Sequence, residues 1–162
     1  MIRAASVDDV DDLVQLIHEL AEYERSPQSV AVTAPQLRDA LFTASPTVFA
    51  HVAEEDGRVV GMAIWYLTFS TWTGRNGIHL EDLYVRSEAR AAGVGRALLT
   101  ELAAVASRSG YARVEWSVLD WNEQALRFYR SLGAVPLDEW ISYRLSGTAL
   151  SGLADGALRG PA

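Results

Sequence analysis

Ile78-His79-Leu80-Glu81-Asp82-Leu83-Tyr84-Val85 and, a few residues on, Arg90-Ala91-Ala92-Gly93-Val94-Gly95-Arg96 set a strand, a glycine turn and a helix start in a row. Apolar side chains alternate at 78 and 80 and resume at 83 and 85, so the period of two slips by one residue at Glu81-Asp82. A β-bulge produces such a slip, re-aiming side chains and leaving backbone groups unpaired. A strand edge facing water produces it equally well. At a bulge, two adjacent carboxylates can act as a base and as a receptor for a cation. In the turn, glycines let the backbone approach a ligand closely. The N–H groups that open the following helix attract anions, and Arg90 and Arg96 add positive charge. That suits a pyrophosphate, although tight strand-to-helix turns also use glycine for steric reasons alone. The spacing is not the GxGxxG dinucleotide fingerprint.

Outward from this stretch, helix and strand patterns alternate. Met1–Ala5 reads as a first strand, with Ser6 as a cap and Asp8 and Asp9 in a first helical turn. Val10, Leu13, Val14, Ile17, Leu20 and Ala21 then give an amphipathic helix to about Glu24, ended by Ser26-Pro27. Thr33-Ala34-Pro35 opens a shorter helix through Phe42. Val48–Ala53 and Val59–Leu67 flank the Asp56-Gly57 hairpin signal, and Thr68–Gly77 reads as a loop. Beyond the glycine turn come a helix stopped by Gly110, a strand over Val114–Leu119, a helix over Asn122–Leu132 stopped by Gly133, and a last strand over Ile141–Leu145. The order implies an α/β fold with helices on both faces of a sheet. One domain is expected over residues 1–146, followed by a Gly/Ala-rich tail over 147–162 with at most one weak helical turn.

Asn122-Glu123-Gln124-Ala125-Leu126-Arg127-Phe128-Tyr129 carries further chemistry. Asn122 is a good N-cap, and Tyr129, seven residues on, stands over the same helix face. Its phenol can protonate a leaving thiolate, or simply pack in a core with its hydroxyl satisfied.

Composition removes whole classes of function. The chain of 162 residues has no cysteine, so disulfides, thiolate metal sites and a cysteine nucleophile are excluded. His18, His51 and His79 are scattered without metal-ligand spacing, and no metal is expected. The net charge is −7, every basic residue is arginine, and a Walker loop lacks its lysine. Neither nucleic acid nor an anionic membrane suits such a chain. No apolar run is long enough to span a bilayer, and the acidic N-terminal stretch does not read as a signal peptide. A cytoplasmic protein is expected.

Arg90-x-x-Gly93-x-Gly95, followed by Asn122-x-x-Ala125-x-x-Phe128-Tyr129-x-x-x-Gly133-Ala134, resembles the GNAT superfamily of N-acetyltransferases. More narrowly, residues 2–145 are similar to the diamine acetyltransferase family (spermidine/spermine-type, with thialysine-acetylating members). The segments that carry this are Glu19-Leu20-Ala21-Glu22-Tyr23-Glu24, Trp72-Thr73-Gly74, Leu80–Val85 and Trp121-Asn122-Glu123. The resemblance implies a mixed central sheet of about six to seven strands, splayed beside a bulge at Glu81-Asp82, with acetyl-CoA lying in the splay. It implies that Leu83, Tyr84 and Val85 align the pantetheine arm and polarise the acetyl carbonyl. Arg90, Ala91, Ala92, Gly93, Val94, Gly95 and Arg96 would hold the pyrophosphate, and Asn122, Glu123, Gln124, Ala125 and Tyr129 the pantetheine and thiol end. It makes Tyr129 the proton donor and Glu81 the group that deprotonates the amine. Tyr23, Glu24, Glu81, Asp82, Glu115, Trp116 and Ser117 match its amine-binding positions.

An ammonium must lose a proton before it attacks a thioester, and an anionic pocket raises its pKa, so a carboxylate to remove that proton fits the chemistry. Where family members carry acidic residues just before the last strand, Trp140 and Ile141 stand here, with Asp138 and Glu139 slightly earlier. That departure favours a shorter or zwitterionic amine. The resemblance also implies a homodimer, to which Trp140 and Tyr143 are candidate contributors. Other readings are an acetyltransferase for a protein or antibiotic amine, and a non-catalytic acyl-CoA sensor.

Overall fold

Asp56 and Gly57 both adopt positive φ, 50° and 76°, which is the backbone a two-residue type I′ turn demands. The turn joins β2 (Val48–Glu55) to β3 (Arg58–Ser70). These strands and β4 (Arg75–Val85) run antiparallel. β3 and β4 extend well into the stretch expected as a loop, leaving residues 71–74 as the turn. β1 (Ile2–Ala4) pairs antiparallel with β2, and β5 (Val114–Trp116) pairs parallel with β4. The computed structural model describes residues 1–90 and 92–156, and within them the sheet is mixed and five-stranded, in the order β1-β2-β3-β4-β5. Ala91 and the tail beyond 156 lie outside the described residues.

The sheet therefore has fewer strands than the six to seven expected. β5 stops at Trp116 instead of Leu119 because its last partner on β4 is Leu80, the residue before the bulge described below. Ile141–Leu145 forms no strand, although Ile141, Tyr143 and Leu145 alternate correctly. Alternation makes a segment fit for a ladder, and a ladder also needs a second backbone to receive its hydrogen bonds.

Residues 1–117 form one compact unit and the chain from 118 another. In the first unit, α1 (Val10–Tyr23) and α2 (Ala34–Leu41) cover one face of the sheet. Thr33 caps α2 by accepting from the Gln36 N–H, while the Gln36 side chain accepts from the Thr33 N–H at 2.9 Å, a reciprocal box. Leu13, Leu16, Leu37 and Leu41 pack against Ala50, Val52, Met62 and Ile64, all even-numbered positions of β2 and β3. The odd positions face the other way. There His51, which accepts from Trp65 Nε1 at 3.1 Å, feels the charges of Glu101 and Arg108 on α3 (Val94–Arg108). Leu98, Leu99, Leu102 and Ala106 bury the inner side of α3. Helices on both faces agree with the expectation.

The second unit holds α4 (Glu123–Ser131) and α5 (Gly147–Ala154). α5 makes two turns where one weak turn was expected. Among the described residues no helix is long and apolar enough to cross a membrane.

A charged knot ties the N-terminus to the sheet. Arg3 on β1 grips both oxygens of Asp9, at 2.7 and 2.8 Å, and reaches Glu54 on β2 at 2.9 Å. Asp9 also accepts from the Ser6 N–H and hydroxyl, closing the short 3-10 turn that leads into α1. These bonds, Arg3 foremost, hold the Asp9 carboxyl down at about 2 against an ordinary 3.8. A depressed folded-state value stabilises the fold above the unfolded value and ceases to do so as pH falls through the folded one. Urea denaturation of Asp9→Asn is expected to show a loss of about 2 kcal/mol at pH 7, shrinking between pH 4 and pH 2 as the wild-type carboxylate is neutralised.

Candidate functional site

The register of β4 against β3 contains one extra residue. Ile64 lies opposite Asp82 and Trp65 opposite Leu80, so Glu81 has no counterpart. This is the bulge that the slipped alternation suggests. Hydrogen bonding confirms the slip. Upstream, Ile78 N–H and Asn76 C=O point toward β5, bonded to Arg113 C=O and Ala112 N–H. Downstream, Arg86 N–H donates to Val60 across the β3 side at 2.9 Å. Because amides alternate along a strand, those of Asp82 and Tyr84 face β3 with Arg86, and those of Leu83 and Val85 face away. On that outer side β5 ends at Trp116, paired with Leu80. Among the described residues, no strand pairs with the edge carrying the Leu83 and Val85 amides. The pairing of β5 with β4 thus ends beside the bulge.

The bulge also gathers side chains on the face covered by α1. Asp82 and Tyr84 lie opposite Ile64 and Met62, both in the α1/α2 core. His79 stacks on Tyr66 with ring centroids 4.8 Å apart, and its Nε2 is 3.9 Å from a Glu81 oxygen, too long for a hydrogen bond. Glu81 is exposed, whereas Asp82 is half-buried. Burial first, then the charges of Glu81 and Glu24, push the Asp82 carboxyl up to about 6. Glu24 sits where α1 ends, followed by Arg25 in the left-handed region at φ 61°. Burial raises the Glu24 carboxyl as well.

Arg90 is placed in a way the sequence did not announce. Its guanidinium carbon lies 4.8 Å from the Tyr23 ring centroid and 5.3 Å from that of Tyr84, and its Nε donates to Val85 C=O at 2.8 Å. Each cation–π contact contributes about 1 kcal/mol. The arginine thus fastens the end of α1 to the open edge of β4. No local pattern signals this, because the two tyrosines come from different elements. Gly93 follows as the N-cap of α3, at φ 82° with no capping side chain. By helix geometry the amides of Val94 and Gly95 have no acceptor within the helix. Arg96 and Ala92 are exposed, and Gly95 is half-buried. Gly61 on β3 lets this corner close: a Cβ there would lie 3.0 Å from Tyr84 C=O and 3.4 Å from Val94.

On β5 the three residues expected to bind the amine differ in their surroundings. The Glu115 carboxylate is held by Arg113 at 2.8 Å, Trp116 is half-buried, and Ser117 lies exposed beyond the strand. In the second unit, Asn122 Oδ1 accepts from the Ala125 N–H at 3.2 Å, the expected cap. Glu123 and Gln124 are exposed in the first turn of α4, and Tyr129, half-buried, packs on Phe128 with ring centroids 5.3 Å apart.

An unpaired strand edge bearing amides, next to a helix start whose first amides lack acceptors, suits an extended ligand that carries an anionic group. The structural neighbours agree on the fold. A protein from an integron cassette of Vibrio cholerae superposes with a TM-score of 0.80 at 29% identity, over 95% of this chain and 96% of that one. A metagenomic aminoglycoside acetyltransferase superposes with a TM-score of 0.77 at 18% identity, over 91% and 96%. The chain belongs to the acetyltransferase (GNAT) family, whose model matches residues 11–134. It is an acetyl-CoA-dependent N-acetyltransferase. Its relatives include the thialysine N-epsilon-acetyltransferases of Mus musculus (37% identical, covering 94% of this chain and 96% of the relative) and Caenorhabditis elegans (38%, 95% and 96%). An L-ornithine N5-acetyltransferase of Arabidopsis thaliana is 29% identical over 94% and 86%.

At Gly93 a Cβ would meet nothing within 4 Å, so the requirement for glycine is its left-handed φ alone. Gly93→Ala is expected to cost about 1 kcal/mol and to weaken CoA binding, with Gly93→Asn between it and the wild type. Urea denaturation and calorimetric titration with CoA check this order.

Proposed function

We propose that this enzyme transfers acetyl directly from acetyl-CoA to a primary amine of a small cationic acceptor: a diamine, a polyamine or a lysine-like amine. One observation carries the reading. Glu81 and Glu24 stand close enough to Asp82 for their charges to raise its half-buried carboxyl, and such a cluster of carboxylates favours a cation. The names of the relatives support it, since thialysine and ornithine are amino acids with a side-chain ammonium. Tyr23, Glu24, Glu81 and Asp82 are the proposed receptors. Glu115, Trp116 and Ser117 serve at the margin, because Arg113 already balances Glu115.

Acetyl-CoA supplies the activated acyl group, and the protein's part is to hold and polarise it. The amides of Leu83 and Val85, on either side of Tyr84, align the pantetheine arm. A backbone N–H aimed at the carbonyl oxygen contributes about 3 kcal/mol to the transition state. Residues 90–96 take the pyrophosphate through the α3 amides, and Asn122 to Ala125 the arm's far end. Tyr129 protonates the departing thiolate, and a carboxylate at the bulge takes the amine's proton. No covalent enzyme intermediate is needed. We place these parts in one domain over 1–146, working as a cytoplasmic homodimer that uses the exposed Trp140 and Tyr143.

Turnover of acetyl-CoA with thialysine, ornithine, spermidine and short diamines tests the proposal. Acetylation of at least one is expected, with the amino acids ahead of spermidine; silence across the panel rejects the substrate class. Tyr129→Phe is expected to lower kcat by about 100-fold while CoA affinity stays within about twofold. Wild-type turnover by that variant would remove Tyr129 from its role.

A further inference from the structure

Two neighbouring carboxylates stand at the bulge, and the fold treats them differently. Glu81 is the extra residue of β4: it has no partner on β3, its side chain is 58% exposed, and it reaches toward His79 at the rim. Asp82 is held opposite Ile64 on the face that α1 covers, one residue before the first open-edge amide, that of Leu83. Among the described residues no hydrogen bond or ion pair engages its carboxylate. The charges that act on it are those of Glu81 on its own strand and Glu24 from the end of α1; β3 sets Ile64 opposite it with the Tyr66 phenol further along that face, and Arg90 lies over the ring of Tyr84, two residues on.

We propose that Asp82, and not Glu81, accepts the proton of the incoming ammonium, and that Glu81 and Glu24 act on that step only through their charge. The inference rests on the acetyl-transfer reading above. In the step, one N–H bond breaks and its proton passes to an Asp82 oxygen, freeing the nitrogen lone pair. That pair forms the C–N bond at the acetyl carbon as the C–S bond breaks. The sulfur leaves with one proton from the general acid, and the second proton lost by nitrogen restores that acid. Ammonium and thioester thereby become amide and thiol, and Asp82 releases one proton to water.

Position and environment agree in this assignment. A carboxylate shielded from water and set against two like charges holds a proton more firmly than an exposed one, which narrows the gap to the amine's own pKa. The raised Asp82 value of about 6 fits that task. A carboxyl that ionises there is a competent acceptor at neutral pH and an incompetent one below pH 6.

The test is the pH dependence of kcat and kcat/KM with thialysine as acceptor, from pH 5 to 9, for wild type, Asp82→Asn, Glu81→Gln and Glu24→Gln. Wild-type kcat/KM is expected to fall below a limb near pH 6. Asp82→Asn is expected to lose that limb and about 100-fold in kcat, with the remaining rate rising about tenfold per pH unit as free amine replaces enzymatic deprotonation. Glu81→Gln and Glu24→Gln are each expected to raise KM, keep the limb and move it to lower pH, because removing a like charge eases ionisation of Asp82. That displacement is a readout which loss of packing alone does not produce. It also serves if Asp82→Asn proves too unstable to assay. The proposal is overturned if Asp82→Asn keeps the limb, if Glu81→Gln abolishes it, or if neither glutamate variant shifts it. A wild type that acetylates no amine at any pH overturns the acetyl-transfer reading together with the proposal, whereas normal wild-type turnover with a displaced assignment overturns the proposal alone.

Discussion

One extra residue in β4 is the constraint on which the rest of the first unit depends. An antiparallel ladder leaves no room for Glu81 between Asp82, opposite Ile64, and Leu80, opposite Trp65, so the strand changes phase there. Two consequences follow from the same displacement. The amides of Leu83 and Val85 turn to the outer side, and the pairing of β5 with β4 ends at Leu80. A sheet that ran straight would have satisfied those amides with a neighbouring strand and left nothing to grip an extended ligand.

The remaining features hold that opening in place. Arg90 lies against Tyr23 and Tyr84 while bonding the Val85 carbonyl, so it ties together the end of α1, the end of β4 and the start of the glycine turn. Gly61 lets the Tyr84 carbonyl and Val94 approach β3 closely, which brings the start of α3 beside the open edge. Gly93 turns the chain into α3 with a backbone conformation that other residues adopt only at a cost. Glu81, Asp82 and Glu24 therefore gather at the bulge, beside the apolar core that Ile64 and Met62 share with α1 and α2. The energetic penalty falls on Asp82, desolvated and flanked by like charges. Such a penalty is tolerated where the group's chemistry requires it.

Much of this was readable in advance. The slip from 78 and 80 to 83 and 85 located the bulge, because strand side chains alternate faces and an inserted residue must break the count. The Asp56-Gly57 turn, the Asn122 and Thr33 caps and the glycine before α3 were legible for a related reason: each depends on backbone within a few residues. The expectation of a final strand at Ile141–Leu145 failed on the complementary ground. Its residues have the right alternation, but pairing is a property of two segments, and only one was on view.

The sequence by itself determined the helices α1 to α4, the hairpin and the family, and placed the slip at Glu81-Asp82 that a bulge or a water-facing edge explains, since these follow from local periodicity, backbone preference and motif spacing. Only the tertiary structure decided which carboxylate of Glu81-Asp82 is withdrawn from water, that Glu24 from a distant helix adds its charge, that Arg113 balances Glu115, and that Tyr23 and Tyr84 enclose Arg90. The physical reason is range. Backbone geometry is settled within a turn or two of chain, whereas the field and solvation at a carboxylate are set by whatever the fold brings beside it.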